Sequence, residues 1–362
     1  MKMRLLIKRN PENTEDSGLC KGGPNRLALH CGNDFIYWAV IFSFFLFPFS
    51  FLIPAMRFHV FFRYISIALV LFVGVPVRAQ VKVMRVAPGQ TDPAIATVHG
   101  PHIALYDPGV ASNHRLFFFI GGTGSNPAGS LPIDRTFAKS GFHVVSIDYE
   151  NNLITTALAH SHDPSAFGHY RDAIVTGAPV SDRIKVDPAN SILNRFQKLL
   201  IYLAQHDPKG GWNEFINEKN GKPAWDRIVV GGHSQGSGHA AYIGKLFHVD
   251  RVLMFSGPQD YMDDLHQPAP WLGEASATPP SRFFAFLSQN DPFNIHHQLA
   301  NCAVLMHLTD PDTKTWTARP GESVKGAGGD YQIFVNDAPK IIAHGSTLSI
   351  VYANVWEYMS HD

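Results

Sequence analysis

The sequence predicts an α/β fold with a largely parallel central sheet and helices on both of its faces. The first observation is an alternation that begins near residue 115, where short runs of aromatic and β-branched residues are followed by longer segments with helical spacing. Such alternation is typical of βαβ units, whose parallel strands require helical crossovers. The second is composition: 30 Gly and 25 Pro indicate many turns between many elements, more than a helical bundle carries.

The elements follow in order along the chain. Residues 81–86 and 102–106 are predicted opening strands, each ended by a turn that contains Pro and Gly. Residues 115–120 form a short, continuous apolar run, which is typical of a strand buried on both faces. The remaining strands are predicted at 143–148, 227–231, 252–255, 283–288 and 331–335, and the helices at 133–140, 191–205, 236–247 and 296–307.

The first eighty residues contain two long hydrophobic stretches, 35–53 and 60–77. Met56, Arg57 and Arg63 precede the apolar run 65–75 within the second stretch, and Val77-Arg78-Ala79 places small residues at −3 and −1. This pattern predicts a secretory signal peptide over 56–79 with Gln80 as the first mature residue, and residues 1–55 as an over-extended or unstructured segment. An uncleaved membrane anchor or a pair of membrane helices is the alternative, because about 20 apolar residues span a bilayer.

The charge balance bears on possible binding partners, and the cysteine content bears on what stabilises the domain. The chain has 30 basic and 30 acidic residues, so its formal net charge of zero argues against a nucleic-acid-binding surface. Cys20 and Cys31 lie upstream of the predicted cleavage site, so the mature domain over 80–362 retains Cys302 alone. A single cysteine forms no intramolecular disulfide, and an ordinary hydrophobic core must stabilise the domain.

The most informative motif is Gly232-His233-Ser234-Gln235-Gly236, a G-x-S-x-G pattern between a predicted strand and a predicted helix. A serine on such a sharp turn projects its hydroxyl above the carboxyl end of the sheet, and flanking glycines let helix and strand approach closely. Open α/β sheets place their sites at that edge. Ser234 is therefore the predicted nucleophile.

A serine nucleophile needs a base and a carboxylate that orients the base. Asp291 follows the strand 283–288 at the same edge of the sheet, and His344 lies between the last predicted strand and a closing helix. Both are therefore the predicted partners of Ser234. The alternatives for the acid are Asp260, Asp263 and Asp264; those for the base are His296, His297 and His361, while His233 is expected to pack or hydrogen-bond within the turn.

The developing oxyanion needs hydrogen-bond donors, normally backbone N–H groups. Gln235, directly after the nucleophile, is predicted to supply one, and Gly122 or Thr123, in the glycine-rich loop after strand 115–120, the other; the Thr123 hydroxyl is a further candidate donor. A nucleotide-binding loop is excluded by spacing, because G-x-G-x-x-G starting at Gly122 requires a glycine where Pro127 stands.

Taken together, Gly121-Gly122-Thr123-Gly124, the serine motif, Asp291 and His344 resemble an α/β-hydrolase superfamily serine esterase over residues 100–360, with a nucleophile elbow of the lipase and carboxylesterase form. The resemblance implies an α/β-hydrolase fold and an acyl-enzyme mechanism that uses no cofactor. The sequence departs from the H-G-G-G form of the oxyanion loop, because Ile120 stands at the position of its histidine.

Two irregular stretches interrupt the alternation. Residues 151–189 are rich in His, Asp, Pro and Gly and are predicted to be a lid-like insertion, while 256–281 are expected to form the opposite wall of a pocket. The insertion carries His160, His162, Asp163 and His169, a candidate metal-ligand set, but solvated histidines are the favoured interpretation and no metal is predicted.

The functional prediction is an exported, secreted or periplasmic serine hydrolase that cleaves a small-molecule or lipid-like carboxylic ester. Membrane contact is expected only through an uncleaved N-terminal segment, and no nucleic-acid partner is expected. The alternative is a catalytically silent domain of the same fold that serves as a binding module at the cell surface. Amide, lactone and polyester substrates use the same machinery and are not distinguished from esters by these residues.

Overall fold

The central sheet of this computed structural model, which describes residues 80–324 and 330–361, has nine strands within that part of the chain. The strands are β1 (Lys82–Val86), β2 (His102–Tyr106), β3 (Leu116–Ile120), β4 (His143–Ile147), β5 (Ile228–His233), β6 (Arg251–Phe255), β9 (Phe283–Ser288), β10 (Thr315–Thr317) and β11 (Ile333–Asn336), and a separate short ladder pairs β7 (Tyr261–Met262) with β8 (Gln267–Pro268). Their order in the sheet is β1-β2-β4-β3-β5-β6-β9-β11-β10, and only β2 runs antiparallel to its neighbours, β1 and β4.

Helices cover both faces of this sheet. They are α1 (Pro88–Thr91), α2 (Leu131–Lys139), α3 (Ala166–Thr176), α4 (Ile192–His206), α5 (Gln235–Leu246), α6 (Ile295–Leu305), α7 (Ala343–Ser346) and α8 (Ala353–Ser360). One hydrophobic cluster packs the sheet against α3, α4, α5 and α6, and the other packs it against α2 and α8. The mostly parallel sheet with helices on both sides confirms the predicted fold class.

Strand β3 is buried on both faces of the sheet, which explains its unbroken apolar sequence. Its five residues are all buried, and they alternate between the two hydrophobic clusters because successive strand side chains point to opposite faces. Phe117 stacks on Phe137 of α2, with ring centroids 3.8 Å apart, and Phe118 stacks on Phe196 of α4 on the other face, at 3.9 Å. The strand therefore lies at the centre of a two-sided core, as the sequence predicts.

The insertion over 151–189 differs from its prediction, because it contains the eleven-residue helix α3 instead of irregular chain throughout. Phe167, Tyr170 and Ile174 of this helix are buried in the same cluster as α4 and α5. The helical period was hidden because one residue on the buried side is charged: Arg171 is fully buried and paired with Asp260. At least this part of the insertion belongs to the core.

The predictions for the over-extended segment 1–55 and for the signal peptide or anchor 56–79 lie outside the described residues. Within the described part of the chain, no helix is both long enough and apolar enough to cross a membrane.

Candidate active site

The serine motif forms a sharp turn between β5 and α5. Ser234 has φ 56° and ψ −122°, a strained conformation for a residue with a side chain, and its N–H donates to Phe255 O at 2.8 Å. Both flanking glycines are required by close backbone contacts: a Cβ on Gly232 would lie 2.1 Å from Gly236 O, and one on Gly236 would lie 2.1 Å from Ile120 O. The glycines thus let α5 approach β3 and β5 while the serine sits at the turn.

Asp291 and His344 form a hydrogen-bonded pair at the same edge of the sheet. His344 Nδ1 lies 2.9 Å from Oδ2 and 3.1 Å from Oδ1 of Asp291. The carboxylate side chain has no exposed surface, whereas the imidazole is 25% exposed. Because a carboxylate only accepts, Nδ1 of His344 carries the proton and Nε2 is left unprotonated in the neutral ring. Asp291 Oδ1 also accepts from Phe293 N at 2.9 Å, which fixes the carboxylate plane.

His344 is anchored next to the serine turn through its own backbone. Its carbonyl oxygen accepts from His233 Nε2 at 2.9 Å and from Ser256 Oγ at 2.7 Å, and the rings of His233 and His344 lie 4.9 Å apart. Burial, with a smaller effect of the charge on His344, lowers the pKa of His233 to about 4. His233 is therefore a neutral hydrogen-bond donor that ties the histidine loop to the elbow, which is the role predicted for it.

The Ser234 hydroxyl has a different partner in this structure. Ser234 Oγ accepts a long hydrogen bond of 3.4 Å from Gln259 Nε2, and among the described residues it makes none with His344. Hydrogen bonds of this kind are often long or misaligned before substrate binds. Gln259 is buried and lies in the stretch 256–281 that was expected to line a pocket, but no feature of the sequence distinguishes it from other polar residues there.

The loop after β3 lies against the elbow as the oxyanion prediction requires. A Cβ on Gly122 would be 3.0 Å from Ser234 Cβ. The Gly122 carbonyl oxygen accepts hydrogen bonds from Ser125 N (3.2 Å), Ser125 Oγ (2.7 Å) and Asn151 Nδ2 (3.2 Å). Within the described part of the chain, the N–H groups of Gly122, Thr123 and Gln235 donate no hydrogen bond. These three donors are the ones the sequence singled out.

The Thr123 hydroxyl is not a free donor. Thr123 Oγ1 donates to Gln235 Oε1 at 2.5 Å, so the hydroxyl links the loop after β3 to the first residue of α5. Gln235 is fully buried, and its side-chain nitrogen lies 3.4 Å from His239 Nε2. The two elements that carry the candidate oxyanion donors are therefore tied to each other by side chains.

The three alternative acids and two of the alternative bases, His297 and His361, are paired elsewhere, while the third, His296, lies at the start of α6, where its backbone N–H donates to Asn294 Oδ1 at 3.1 Å. Asp260 binds Arg171, Asp263 lies 3.3 Å from His297, and Asp264 Oδ1 lies 2.8 Å from His160 Nδ1. His361 Nδ1 bonds to Glu357 O at 2.9 Å. His169 bonds to Ser165 at the start of α3, and no group of three or more His, Cys, Asp or Glu residues in the described ranges is arranged to hold a metal ion. The carboxylate that His344 contacts is that of Asp291.

A small cavity of about 130 Å³ lies beside the loop after β3, and its lining includes Gly122, Ser125, Ser130, Ser146, His233 and Leu348. Two of the lining serines are buried, and both donate to Asp134, whose Oδ2 accepts from Ser130 Oγ at 2.7 Å and from Ser146 Oγ at 2.9 Å. Burial raises the pKa of Asp134 to about 7. The cavity is thus lined by both apolar and polar residues.

Comparison with known proteins adds no argument about this chain. No family model matches the chain, and no curated protein matches it. Among solved structures, the chain is similar to a bacterial heroin esterase at 13% identity and a TM-score of 0.37, covering 82% of this chain and 88% of that one. A likeness at that level bears on neither substrate nor activity. Strand order, the single antiparallel strand β2 next to the parallel strands, and the strained serine between β5 and α5 give the chain an α/β-hydrolase fold.

Proposed function

We propose that this protein is a serine hydrolase that cleaves carboxylic esters through an acyl-enzyme intermediate. The observation that supports it most is the hydrogen bond of 2.9 Å between His344 Nδ1 and the buried Asp291, next to a strained serine at the carboxyl edge of the sheet. A silent binding module has no need for a buried carboxylate that holds an imidazole in one tautomer.

The reaction follows from the protonation state of His344. Ser234 Oγ attacks the ester carbonyl carbon while Nε2 of His344 takes the hydroxyl proton, which gives a tetrahedral intermediate and an imidazolium. Asp291 is close enough to stabilise the imidazolium charge. Nε2 then returns the proton to the leaving alkoxide as the C–O bond breaks. A water molecule, activated by the same nitrogen, hydrolyses the acyl-serine and frees the acid.

The negative charge of the tetrahedral intermediate is assigned to the N–H groups of Gln235 and of Gly122 or Thr123. All three are without an acceptor within the described residues, and the loop and the elbow that carry them are in contact. Donors already aimed at the place where charge develops need no reorganisation during the reaction, and one such donor contributes about 10² to 10³ in kcat.

The first step requires the Ser234 hydroxyl to donate its proton to His344. Ser234 Oγ only accepts from Gln259 Nε2, so its own hydrogen can still form a hydrogen bond with His344 Nε2 before proton transfer. The contact of 3.4 Å with Gln259 is at the weak end of hydrogen bonding, so it opposes little any rotation of the serine side chain that this requires. Substrate binding then supplies the geometry in which serine and histidine are in contact.

A fluorophosphonate probe and a short p-nitrophenyl ester test this function directly. The wild-type protein should be labelled by the probe and should release p-nitrophenol, whereas Ser234→Ala should lose both, with kcat reduced by several orders of magnitude. Ser276→Ala is the matched control, because Ser276 lies near the far end of α5 and bonds to Thr278 O at 2.8 Å. An unlabelled wild type, or a Ser234→Ala variant with more than about a tenth of wild-type kcat, would refute the proposal.

The proposal also covers where the protein acts and on what kind of substrate. The signal sequence predicted over residues 56–79 supports export of the mature domain, and a small-molecule or lipid-like ester is the expected substrate. This mechanism requires no cofactor.

A further inference from the structure

A buried arginine from the insertion reaches the backbone of the elbow. Arg171 lies on α3, its side chain has no exposed surface, and its Nη1 donates to Gln235 O at 2.8 Å. Gln235 is the residue directly after the nucleophile. The insertion therefore contacts the elbow through a charged group and not only through apolar packing.

The charge of Arg171 is balanced by Asp260 in the loop after β6. Nε lies 3.0 Å from Oδ2 and Nη2 lies 2.5 Å from Oδ1, so the pair is bidentate, and Trp271 Nε1 donates to Oδ2 at 2.9 Å. Burial alone would lower the pKa of the guanidinium, but the nearby carboxylate outweighs it and the pKa stays above its ordinary value. A bidentate pair fixes the orientation of the guanidinium plane as well as its position.

Helix α5 has a glycine, Gly238, where the guanidinium of Arg171 lies against it. A Cβ on Gly238 would lie 2.2 Å from Nη2 and 2.4 Å from Cζ of Arg171. Glycine is unfavourable inside a helix, since it weakens the helix relative to alanine. Its presence one turn after the nucleophile therefore leaves room for Arg171 to bond to the Gln235 carbonyl.

Gln235 in turn holds the other candidate oxyanion donor. Its N–H is one donor, and its side chain accepts from the Thr123 hydroxyl at 2.5 Å, which links the loop after β3 to the elbow. The chain of contacts thus runs from Asp260 through Arg171 to Gln235, and from there to Thr123. Both sides of the oxyanion site are tied to this one buried arginine.

We propose that Arg171 is a positioning residue of the oxyanion site, which fixes the Gln235 backbone and, through the Gln235 side chain, the donor loop at Thr123. The inference rests on the proposed esterase function, since it concerns the charge that forms on the ester oxygen. A donor misplaced by about 1 Å can cost about 10²-fold in rate. Loss of Arg171 should therefore weaken binding of the tetrahedral intermediate and leave binding of the planar ester nearly unchanged.

The test compares Arg171→Met and Arg171→Lys with a matched control, Arg195→Met. Arg195 is equally buried and lies 3.3 Å from Asp148, and it also bonds to the carbonyl groups of Asn190 and Thr97. Among the described residues, none of these groups is hydrogen-bonded to the candidate oxyanion donors. The control therefore measures what loss of a buried arginine does to activity in general.

Two readouts separate positioning from folding. We expect Arg171→Met to lower kcat for a p-nitrophenyl ester by about tenfold to hundredfold, with KM within about threefold of wild type. Inhibition by a trifluoromethyl ketone should weaken in proportion to kcat, because that inhibitor forms a tetrahedral adduct with the serine. Arg171→Lys, which keeps the charge, should recover part of both losses. Arg195→Met should leave kcat and inhibitor affinity within about threefold of wild type.

An Arg171→Met variant that keeps wild-type kcat, or one that loses no more kcat and inhibitor affinity than Arg195→Met, would overturn the inference. If Arg171→Met fails to fold, the charge-balanced variant Arg171→Met/Asp260→Asn is measured by the same criteria. Gly238→Ala is an independent perturbation, since its methyl group must displace the guanidinium, and it should lower kcat in the same way. An unreactive wild type would refute the esterase function itself, whereas a reactive wild type with an unaffected arginine variant refutes this inference alone.

Discussion

Replacing Asp291 by asparagine should abolish most of the activity while leaving the site's shape intact. Asp291 Oδ1 accepts from Phe293 N at 2.9 Å, so the side-chain oxygen of the introduced amide would keep that position. Its NH₂ group would then stand where Oδ2 stands now, 2.9 Å from His344 Nδ1. Because that group donates, Nδ1 would have to accept, and the proton would move to Nε2, the atom that must act as the base.

The size of the effect follows from this tautomer reversal. In Ser-His-Asp sites the same change lowers kcat by about 10⁴, and about 1.4 kcal/mol per factor of ten makes this roughly 5 kcal/mol of transition-state stabilisation. We therefore expect Asp291→Asn to retain about 10⁻³ to 10⁻⁴ of wild-type kcat on a p-nitrophenyl ester. Circular dichroism and the melting temperature should show a folded protein.

Asp263→Asn is the control for that prediction. Asp263 is an alternative acid, its side chain is 36% exposed, and it faces His297 instead of His344. Its substitution should change kcat by less than about threefold, since exposed ion pairs contribute little. A nearly silent Asp291→Asn together with a crippling Asp263→Asn would show that the acid had been misassigned.

Three further predictions concern the elbow, the core and export. Gly232→Ala should destabilise the protein by more than about 2 kcal/mol in chemical denaturation, because the new Cβ would lie 2.1 Å from the backbone oxygen of Gly236. His102 is fully buried, and burial lowers its pKa to about 3, so at acidic pH the unfolded chain binds a proton that the folded one does not. Its contribution to stability should therefore fall by about 1.4 kcal/mol per unit as pH drops below 6.5 towards 3, as denaturation at several pH values will show. Mass spectrometry of secreted protein should find an N-terminus at Gln80.

Each of the three has a contradicting outcome. Gly89→Ala is the control for the elbow, since a Cβ there meets nothing within 4 Å, and equal stability changes at the two glycines would contradict the steric argument. In a His102→Gln variant, the free energy of unfolding should fall less steeply with decreasing pH than in wild type. An unchanged pH dependence would mean that another group takes up the proton on unfolding. Peptides from residues 1–55 in the secreted protein would contradict the signal-peptide prediction.

Features that depend on local sequence were predictable. The five residues of β3 are apolar on both faces, and only a strand buried on both sides accommodates such a run. The turn at Ser234 was predictable for a similar reason, because two glycines separated by three residues are what the close contacts at Gly232 and Gly236 demand. In both cases the residues that specify the structure lie within one element or one turn.

Helix α3 was missed for a reason that lies outside the helix. Its buried side carries Arg171, and a charged residue breaks the apolar period by which a helix is recognised. Only the carboxylate of Asp260, 89 positions further along the chain, makes that burial tolerable. The pattern of α3 taken alone therefore indicated an irregular loop.

The sequence by itself determined the alternating strands and helices, the strained serine turn and a short set of acids and histidines near it, because each follows from residues that are neighbours in the chain. The sequence favoured Asp291 as the acid because it directly follows a strand, but only the tertiary structure shows that Asp291 contacts His344, that Asp260 contacts Arg171 and that Gln259 contacts the serine hydroxyl. The physical reason is that Asp291 and His344 are 53 positions apart. The meeting of such distant side chains depends on how the whole sheet and its helices pack, and no local pattern encodes it.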